Sequence, residues 1–174
     1  MPYTIARYAG YCAGVRKAME SALTAAREAR DAGVPCYSLG ELIHNPDAVE
    51  ELRRAGIRPI ERVEDAAAGG MILLRSHGVS PEVEEACRAR GLIVRDCTCA
   101  FVRALHTIVR ESGEAGVPVV LVGDPEHPEV RGTAGWCRGS CCIVQNEADV
   151  SACRSWTAPW PWRRPHSRPT NGKS

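Results

Sequence analysis

Several histidines and cysteines of this sequence lie directly after apolar segments. The apolar run 71–74 predicts a buried strand, and His77 follows it directly. A serine and a proline at 80–81 then indicate a helix start, and the next predicted strand, 92–94, leads to Cys99. Because the carboxyl ends of parallel strands lie at one edge of a sheet, imidazole and thiolate groups collect there. The sequence therefore predicts a ligand site at this edge.

Two further histidines occupy equivalent places. His44 follows the predicted strand 35–39, and His127 follows the predicted strand 117–122; each comes just before a proline that indicates a helix start. Imidazoles and helix N-termini together suit a phosphate or a diphosphate. For a single histidine a capping or surface role is the stronger interpretation, but three in equivalent loops favour a binding site.

Two cysteines fall in loops of the same kind. Cys12 lies between two glycines at the front of a predicted helix, where the helix dipole favours thiolate, and Cys99 closes a strand. A small buried residue in a turn is the competing interpretation of Cys12. The chain lacks the paired CxxC motifs of a zinc ribbon, and thiolates from distant loops are compatible with an iron–sulfur cluster. The sequence leaves iron–sulfur and zinc open.

The remaining pattern predicts an α/β fold with parallel sheets. The segments PDAVEELRRAGI and PEVEEACRARGL can be superposed, each after a strand and a histidine, which suggests repeated β-α units. A helix over 100–116 is expected to bury the face carrying Val102, Leu105, Ile108 and Val109. The other expected elements are strands at 3–8, 57–60 and 142–144, a helix from residue 15 towards Gly33, a weak helical turn within 61–70, a short helix ending at Gly135 and a helix beginning near 146.

Length, net charge and cysteine content limit which partners and which cellular compartment we expect. The chain has 174 residues, a net charge of +1 and nine cysteines. This charge gives no argument for a nucleic-acid or membrane-surface partner, and no run resembles a signal peptide or a membrane span. We expect a cytoplasmic protein whose cysteines are free, buried or bound to metal. Residues 154–174, rich in proline and tryptophan, are expected to be irregular or disordered, with a packed aromatic tail as the alternative.

Five motifs extend the interpretation. GYCAGV at 10–15, LGELIHNP at 39–46, SHGVSPEV at 76–83, DCTC at 96–99 and EHPEVRGT at 126–133 resemble, in order and spacing, the motifs of the LytB family of 4-hydroxy-3-methylbut-2-enyl diphosphate reductases. The resemblance covers about 3–150. It implies an iron–sulfur (4Fe-4S) oxidoreductase of the non-mevalonate isoprenoid pathway. Such an enzyme reduces 4-hydroxy-3-methylbut-2-enyl diphosphate to isopentenyl and dimethylallyl diphosphates with electrons from a donor such as ferredoxin or flavodoxin.

The resemblance also implies roles for individual residues. Cys12 and Cys99 would be cluster ligands. His44, His77 and His127 would surround the diphosphate, and Glu129 would donate a proton. The fold would be a trefoil-like arrangement of three α/β lobes, of which residues 1–99 form the first lobe and 100–153 part of the second, with 154–174 as a tail.

The chain departs from the family pattern in several places. DCTCA stands where the family has DATCP, which adds Cys97, and Arg131 stands where the family has a glutamate. The third lobe, with the third cysteine ligand, is not recognisable, so the resemblance implies a sequence truncated after the second lobe. Cys137, Cys141, Cys142 and Cys153 are the candidates for a replacement ligand. The alternative is a non-catalytic remnant, or a zinc- or ligand-binding module using Cys97, Cys99 and the group 137–142.

Overall fold

The computed structural model describes residues 2–4 and 9–153, and its architecture is α/β, as predicted. Four parallel strands form the larger sheet in the order β2-β1-β3-β4. Their bounds are β1 Cys36–Leu39, β2 Ile57–Ile60, β3 Met71–Leu74 and β4 Ile93–Asp96. Strands β1 and β3 are neighbours, and β4 lies beside β3, so the loops carrying His44, His77 and Cys99 leave adjacent strands at the same edge.

Three helices accompany this sheet, and their starts agree with the capping signals. They are α1 Ala13–Asp31, α2 Pro46–Arg54 and α3 Pro81–Ala89. Asn45 caps α2 by accepting a hydrogen bond from the Ala48 amide at 3.0 Å, and proline occupies the first helical position of both α2 and α3. The weak turn expected within 61–70 is a 3-10 helix, Val63–Asp65.

A second, two-stranded parallel sheet follows. It pairs β5 Val119–Val122 with β6 Cys141–Val144. Helix α4, Ala100–Glu114, precedes this sheet, α5, Pro128–Gly135, connects its strands, and a 3-10 turn, Glu147–Asp149, leads into α6, Val150–Cys153. The predicted helix, strand and short helix in this part of the chain are therefore present.

The central strands β1 and β3 of the larger sheet are buried on both faces. Met71 and Leu73 pack with the alanine-rich side of α1, whereas Ile72 and Leu74 pack on the opposite face with Cys87 of α3. All four side chains of β3 are buried, which explains why its sequence is a continuous apolar run and not an alternating one. A strand buried on both faces holds its carboxyl-terminal loop firmly, and that loop carries His77.

The predicted buried face of α4 is partly wrong. Val102 and Val109 are buried as expected, but Leu105 and Ile108 are 37% and 60% exposed, and His106 is buried instead. Helical spacing places 102, 106 and 109 on one stripe. That stripe is the one on which the neighbouring elements pack, so a polar side chain enters the core while two apolar ones stay at the surface.

The expectation that the cysteines carry no disulfide is also wrong for one pair. Cys142 and Cys153 form a disulfide, because α6 returns beside β6 and brings their Cα atoms to 6.1 Å, within the usual range. The other seven cysteines, all in the part that the structure describes, are free. Residues 5–8 of the expected first strand and the tail 154–174 lie outside the described residues. Among the described helices, none is both long and apolar enough to cross a membrane.

Candidate functional site

Three imidazole rings converge at the edge where strands of both sheets end. The ring centroids of His44 and His77 are 4.6 Å apart, those of His77 and His127 are 6.0 Å apart, and those of His44 and His127 are 6.4 Å apart. They come from the loops after β1, β3 and β5. The sequence predicted three equivalent histidine loops, and the structure brings all three together.

Hydrogen bonds fix these loops against one another. The Ser76 hydroxyl and amide both donate to the Leu42 carbonyl, at 2.9 and 3.2 Å, which joins the His77 loop to the His44 loop. His127 caps α5, because its Nδ1 accepts from the Glu129 amide at 3.2 Å. That hydrogen bond requires the neutral ring to carry its proton on Nε2, which leaves Nε2–H as a donor for a ligand.

The His77 ring is held in its neutral form. Its pKa is lowered to about 4, chiefly by burial and then by the neighbouring His44, Arg75 and His127 in that order of importance. Its Nδ1 is buried without a hydrogen-bond partner. His44 differs, since its side chain is more than half exposed and its Nδ1 lies 3.5 Å from a Glu41 carboxylate oxygen. A buried polar atom without a partner at a cluster of donors is typical of a ligand site.

The lowered pKa of His77 predicts a pH-dependent stability. Between about pH 4 and pH 6.5 the unfolded chain binds a proton at this ring and the folded chain does not, so the free energy of unfolding should rise with pH across that window. Urea unfolding at several pH values measures this. His77→Gln, which cannot titrate, should show a smaller rise than the wild type, and an equal rise in both would contradict the prediction.

Cys12 and Cys99 come together at the amino-terminal ends of two helices. Cys12 caps α1, and its sulfur accepts from the Val15 amide at 3.5 Å, while Cys99 caps α4. A Cβ atom on Gly14 would lie 2.7 Å from the Cys99 sulfur and 3.9 Å from the Cys12 sulfur. The two thiols therefore flank one small space that a side chain at position 14 would fill. Two cysteine sulfurs beside one space fit a cluster or a soft metal ion.

The described residues do not add a third ligand to this pair. No group of three or more metal-ligating side chains occurs between residues 9 and 153 or within 2–4. Cys97 is 4% exposed in the core beside α1, and burial raises the pKa of its thiol. Cys142 is used in the disulfide with Cys153, so neither it nor Cys97 stands as a ligand beside Cys12 and Cys99.

Two cavities lie in this part of the molecule. One, of about 460 Å³, is lined by Cys97 and Cys99, with Lys17, Phe101 and Arg103 among its other lining residues. A second cavity of about 620 Å³ is lined in part by Arg75 and Arg131. Arg131, the departure from the family pattern, lies 4.0 Å from Glu126, which partly balances its charge. Glu129 lies in the first turn of α5, two residues from His127.

Comparison with known proteins identifies the family of this chain. The family model described as LytB protein matches residues 4–160. The chain belongs to the LytB family. It is 39% identical over 148 residues to 4-hydroxy-3-methylbut-2-enyl diphosphate reductase of Caldanaerobacter subterraneus subsp. tengcongensis, with 84% of this chain and 51% of the relative covered. The reductase of Aquifex aeolicus is 40% identical over 149 residues, with coverage of 84% and 50%.

Solved structures agree with the sequence comparison. This LytB chain resembles the structure of (E)-4-hydroxy-3-methyl-but-2-enyl diphosphate reductase with a TM-score of 0.75 at 39% identity, covering 86% of this chain and 53% of that one. The Plasmodium falciparum reductase gives a TM-score of 0.72 at 27% identity, with coverage of 83% and 45%. The family assignment and the α/β fold are thus confirmed, and the chain spans about half the length of the relatives it matches.

Four residues at this LytB site were not predicted from the sequence. The structure finds five buried side-chain atoms without hydrogen-bond partners in the described residues, on Arg75, His77, Arg95, His106 and Thr133. Of these, Arg75 adjoins the His77 loop, His106 contacts it, and Thr133 lies beside Gly132, which packs on it. Trp136, the fourth residue, contacts the loop through its hydrogen bond to the Val79 carbonyl and stacks on His106. One signal was available for His106, because it shares the helical stripe of Val102 and Val109.

Proposed function

We propose that this chain is part of a 4-hydroxy-3-methylbut-2-enyl diphosphate reductase. The reaction removes the hydroxyl group of 4-hydroxy-3-methylbut-2-enyl diphosphate with two electrons and two protons, yielding water and isopentenyl or dimethylallyl diphosphate. The observation that carries the proposal is the convergence of the three imidazole rings, 4.6 to 6.4 Å apart, in a chain of the LytB family.

The three histidines bind the diphosphate in this proposal. His127 offers Nε2–H, since its Nδ1 is already an acceptor, and His77 offers a ring whose Nδ1 has no partner inside the protein. His44 completes the group, and its Nδ1 lies 3.5 Å from a Glu41 carboxylate oxygen. Hydrogen bonds from imidazoles and the N-terminus of α5 together neutralise an anion and orient it. Glu129, next to His127 in that first turn, is the proposed proton donor to the reacting end of the substrate.

Cys12 and Cys99 are the proposed protein ligands of a 4Fe-4S cluster. When bound, such a cluster supplies electrons and an open iron position that acts as a Lewis acid on the leaving hydroxyl. Gly14 keeps the space between the two sulfurs free of a side chain. The proposed partners are the diphosphate substrate and an electron donor such as ferredoxin or flavodoxin, and the proposed compartment is the cytoplasm. The lobes proposed from the sequence, 1–99 and 100–153, meet at Cys99 and the start of α4.

Binding of inorganic diphosphate tests the histidine site without the cluster. Calorimetric titration at pH 7 should show binding to the wild type, and His77→Ala should bind about tenfold to a hundredfold more weakly, because each hydrogen bond to a charged group contributes about 1.5–3 kcal/mol. Arg54→Ala is the matched control, since it removes an exposed cation that pairs only with Glu50. No binding by the wild type, or equal losses in both variants, would contradict the proposal.

Among the described residues, the alternative of a zinc module lacks a complete set of ligands. That alternative requires Cys97, Cys99 and the group 137–142 to act together. Cys97 is buried in the core, whereas Cys99 faces Cys12 across Gly14, and the described residues contain no cluster of three ligands. The fold pairs Cys12 with Cys99, and it also places Cys137 beside Cys141. Among the described residues these pairs do not join into one group of three or more ligands.

A further inference from the structure

The loop that carries His77 packs against two helices, α4 and α5. A Cβ atom on Gly78 would lie 3.0 Å from His106 Nε2 and closer still to its Cε1, so the loop backbone rests directly on the His106 ring of α4. His106 is 5% exposed and stacks on Trp136, with ring centroids 5.2 Å apart and planes inclined by 19°. The stacked rings of His106 and Trp136 therefore support the backbone of the loop at Gly78.

Helix α5 packs on the same loop along a line of small residues. A Cβ atom on Gly132 would lie 3.2 Å from the Gly78 carbonyl oxygen, and one on Gly135 would clash with Ser80. Trp136, which caps the end of α5, donates from its Nε1 to the Val79 carbonyl at 2.9 Å. The helix and the loop approach backbone to backbone, and a single side-chain hydrogen bond fixes their register.

The opposite ends of these two segments carry the imidazoles. His127 caps the start of α5 and Trp136 caps its end, roughly 12 Å along the axis for eight helical residues. His77 precedes the glycine that rests on His106. Because a helix of this length moves as a unit, a shift of its Trp136 end against the loop would change the 6.0 Å spacing of the His77 and His127 rings.

We propose that Trp136 and His106 are positioning residues, which lock the loop 76–80 onto helix α5 and thereby set the spacing of His77 and His127 for a diphosphate. The inference rests on the proposed function for its ligand. The contacts of Trp136 and His106 with the loop and with helix α5 carry the positioning role itself.

Trp136→Phe tests the lock by removing the Nε1–H donor while keeping an aromatic ring on His106. We expect inorganic diphosphate to bind about threefold to tenfold more weakly, as one net hydrogen bond predicts, and the nitrogen resonances of the His77 ring to shift in the ligand-free protein. The control is Ile57→Val, which removes one buried methylene in the edge strand β2, away from the loop. It should leave affinity and resonances unchanged.

Each result has a distinct meaning. Unchanged diphosphate affinity and unchanged His77 resonances in Trp136→Phe would overturn the lock, as would losses no larger than those of Ile57→Val. If the wild type does not bind diphosphate, the proposed function fails, and the His77 resonances alone decide about the lock. If Trp136→Phe does not fold, His106→Gln, which removes the stacking from the other side, provides the same comparison.

Discussion

Replacing Gly78 by alanine is expected to destabilise the protein by about 2–5 kcal/mol and to abolish diphosphate binding. Gly78 has φ +73°, where an L-residue costs about 1–2 kcal/mol. The new methyl group would also press on the His106 ring, which is buried and stacked on Trp136 and has no room to turn away. Overpacking of this kind adds about 1–3 kcal/mol.

Gly91→Ala is the matched control for this prediction. Gly91 also has φ +73°, but a Cβ atom there meets no atom within 4 Å. It should therefore lose only the backbone contribution and keep its diphosphate affinity. Urea unfolding and calorimetric titration of both variants measure the difference. Equal stability losses in the two variants would show that the His106 contact does not constrain the loop.

Cys99→Ser is expected to remove nearly all iron that the chain binds on anaerobic reconstitution with iron and sulfide. The two sulfurs of Cys12 and Cys99 flank a single space, so the loss of either leaves one thiolate, which is too few to retain a cluster. Reconstitution is carried out with an excess of a small thiol, which can complete the coordination. Iron and sulfide content and the visible spectrum are the measurements.

Cys97→Ala tests whether Cys97, a neighbour of Cys99 in the sequence, is itself a ligand of the iron. Cys97 is two residues from Cys99 in the sequence, but it is buried in the core against α1. Its replacement should leave the iron content at the wild-type level. Loss of iron in Cys97→Ala together with retention in Cys99→Ser would reverse the assignment. Retention of zinc and not iron by the wild type would contradict the cluster proposal itself.

Local signals predicted most elements of the fold. The proline after each capping residue marks the starts of α2 and α3, because proline suits a first helical position and lacks the amide that the interior of a helix needs. The continuous apolar run of β3 predicted a buried strand, and all four of its side chains are buried. Strand ends then located the three histidines, since a parallel sheet collects its carboxyl-terminal loops at one edge.

Packing at a distance decided what local patterns could not. Periodicity gave α4 an apolar stripe, but the neighbours that meet α4 decided that His106 is buried and Ile108 exposed. The disulfide between Cys142 and Cys153 likewise depends on the return of α6 beside β6. These outcomes depend on which surfaces meet, and the spacing of residues within one helix or strand contains no information about that.

The sequence by itself determined the α/β class, the three histidine loops and the pair of cysteines at helix starts, because each follows from the chemistry of a few consecutive residues. Only the tertiary structure decided that the rings lie 4.6 to 6.4 Å apart, that Cys12 and Cys99 meet across Gly14, and that Trp136 joins α5 to the His77 loop. The physical reason is that these distances are set by contacts between segments remote in sequence, whose packing fixes each loop relative to the others.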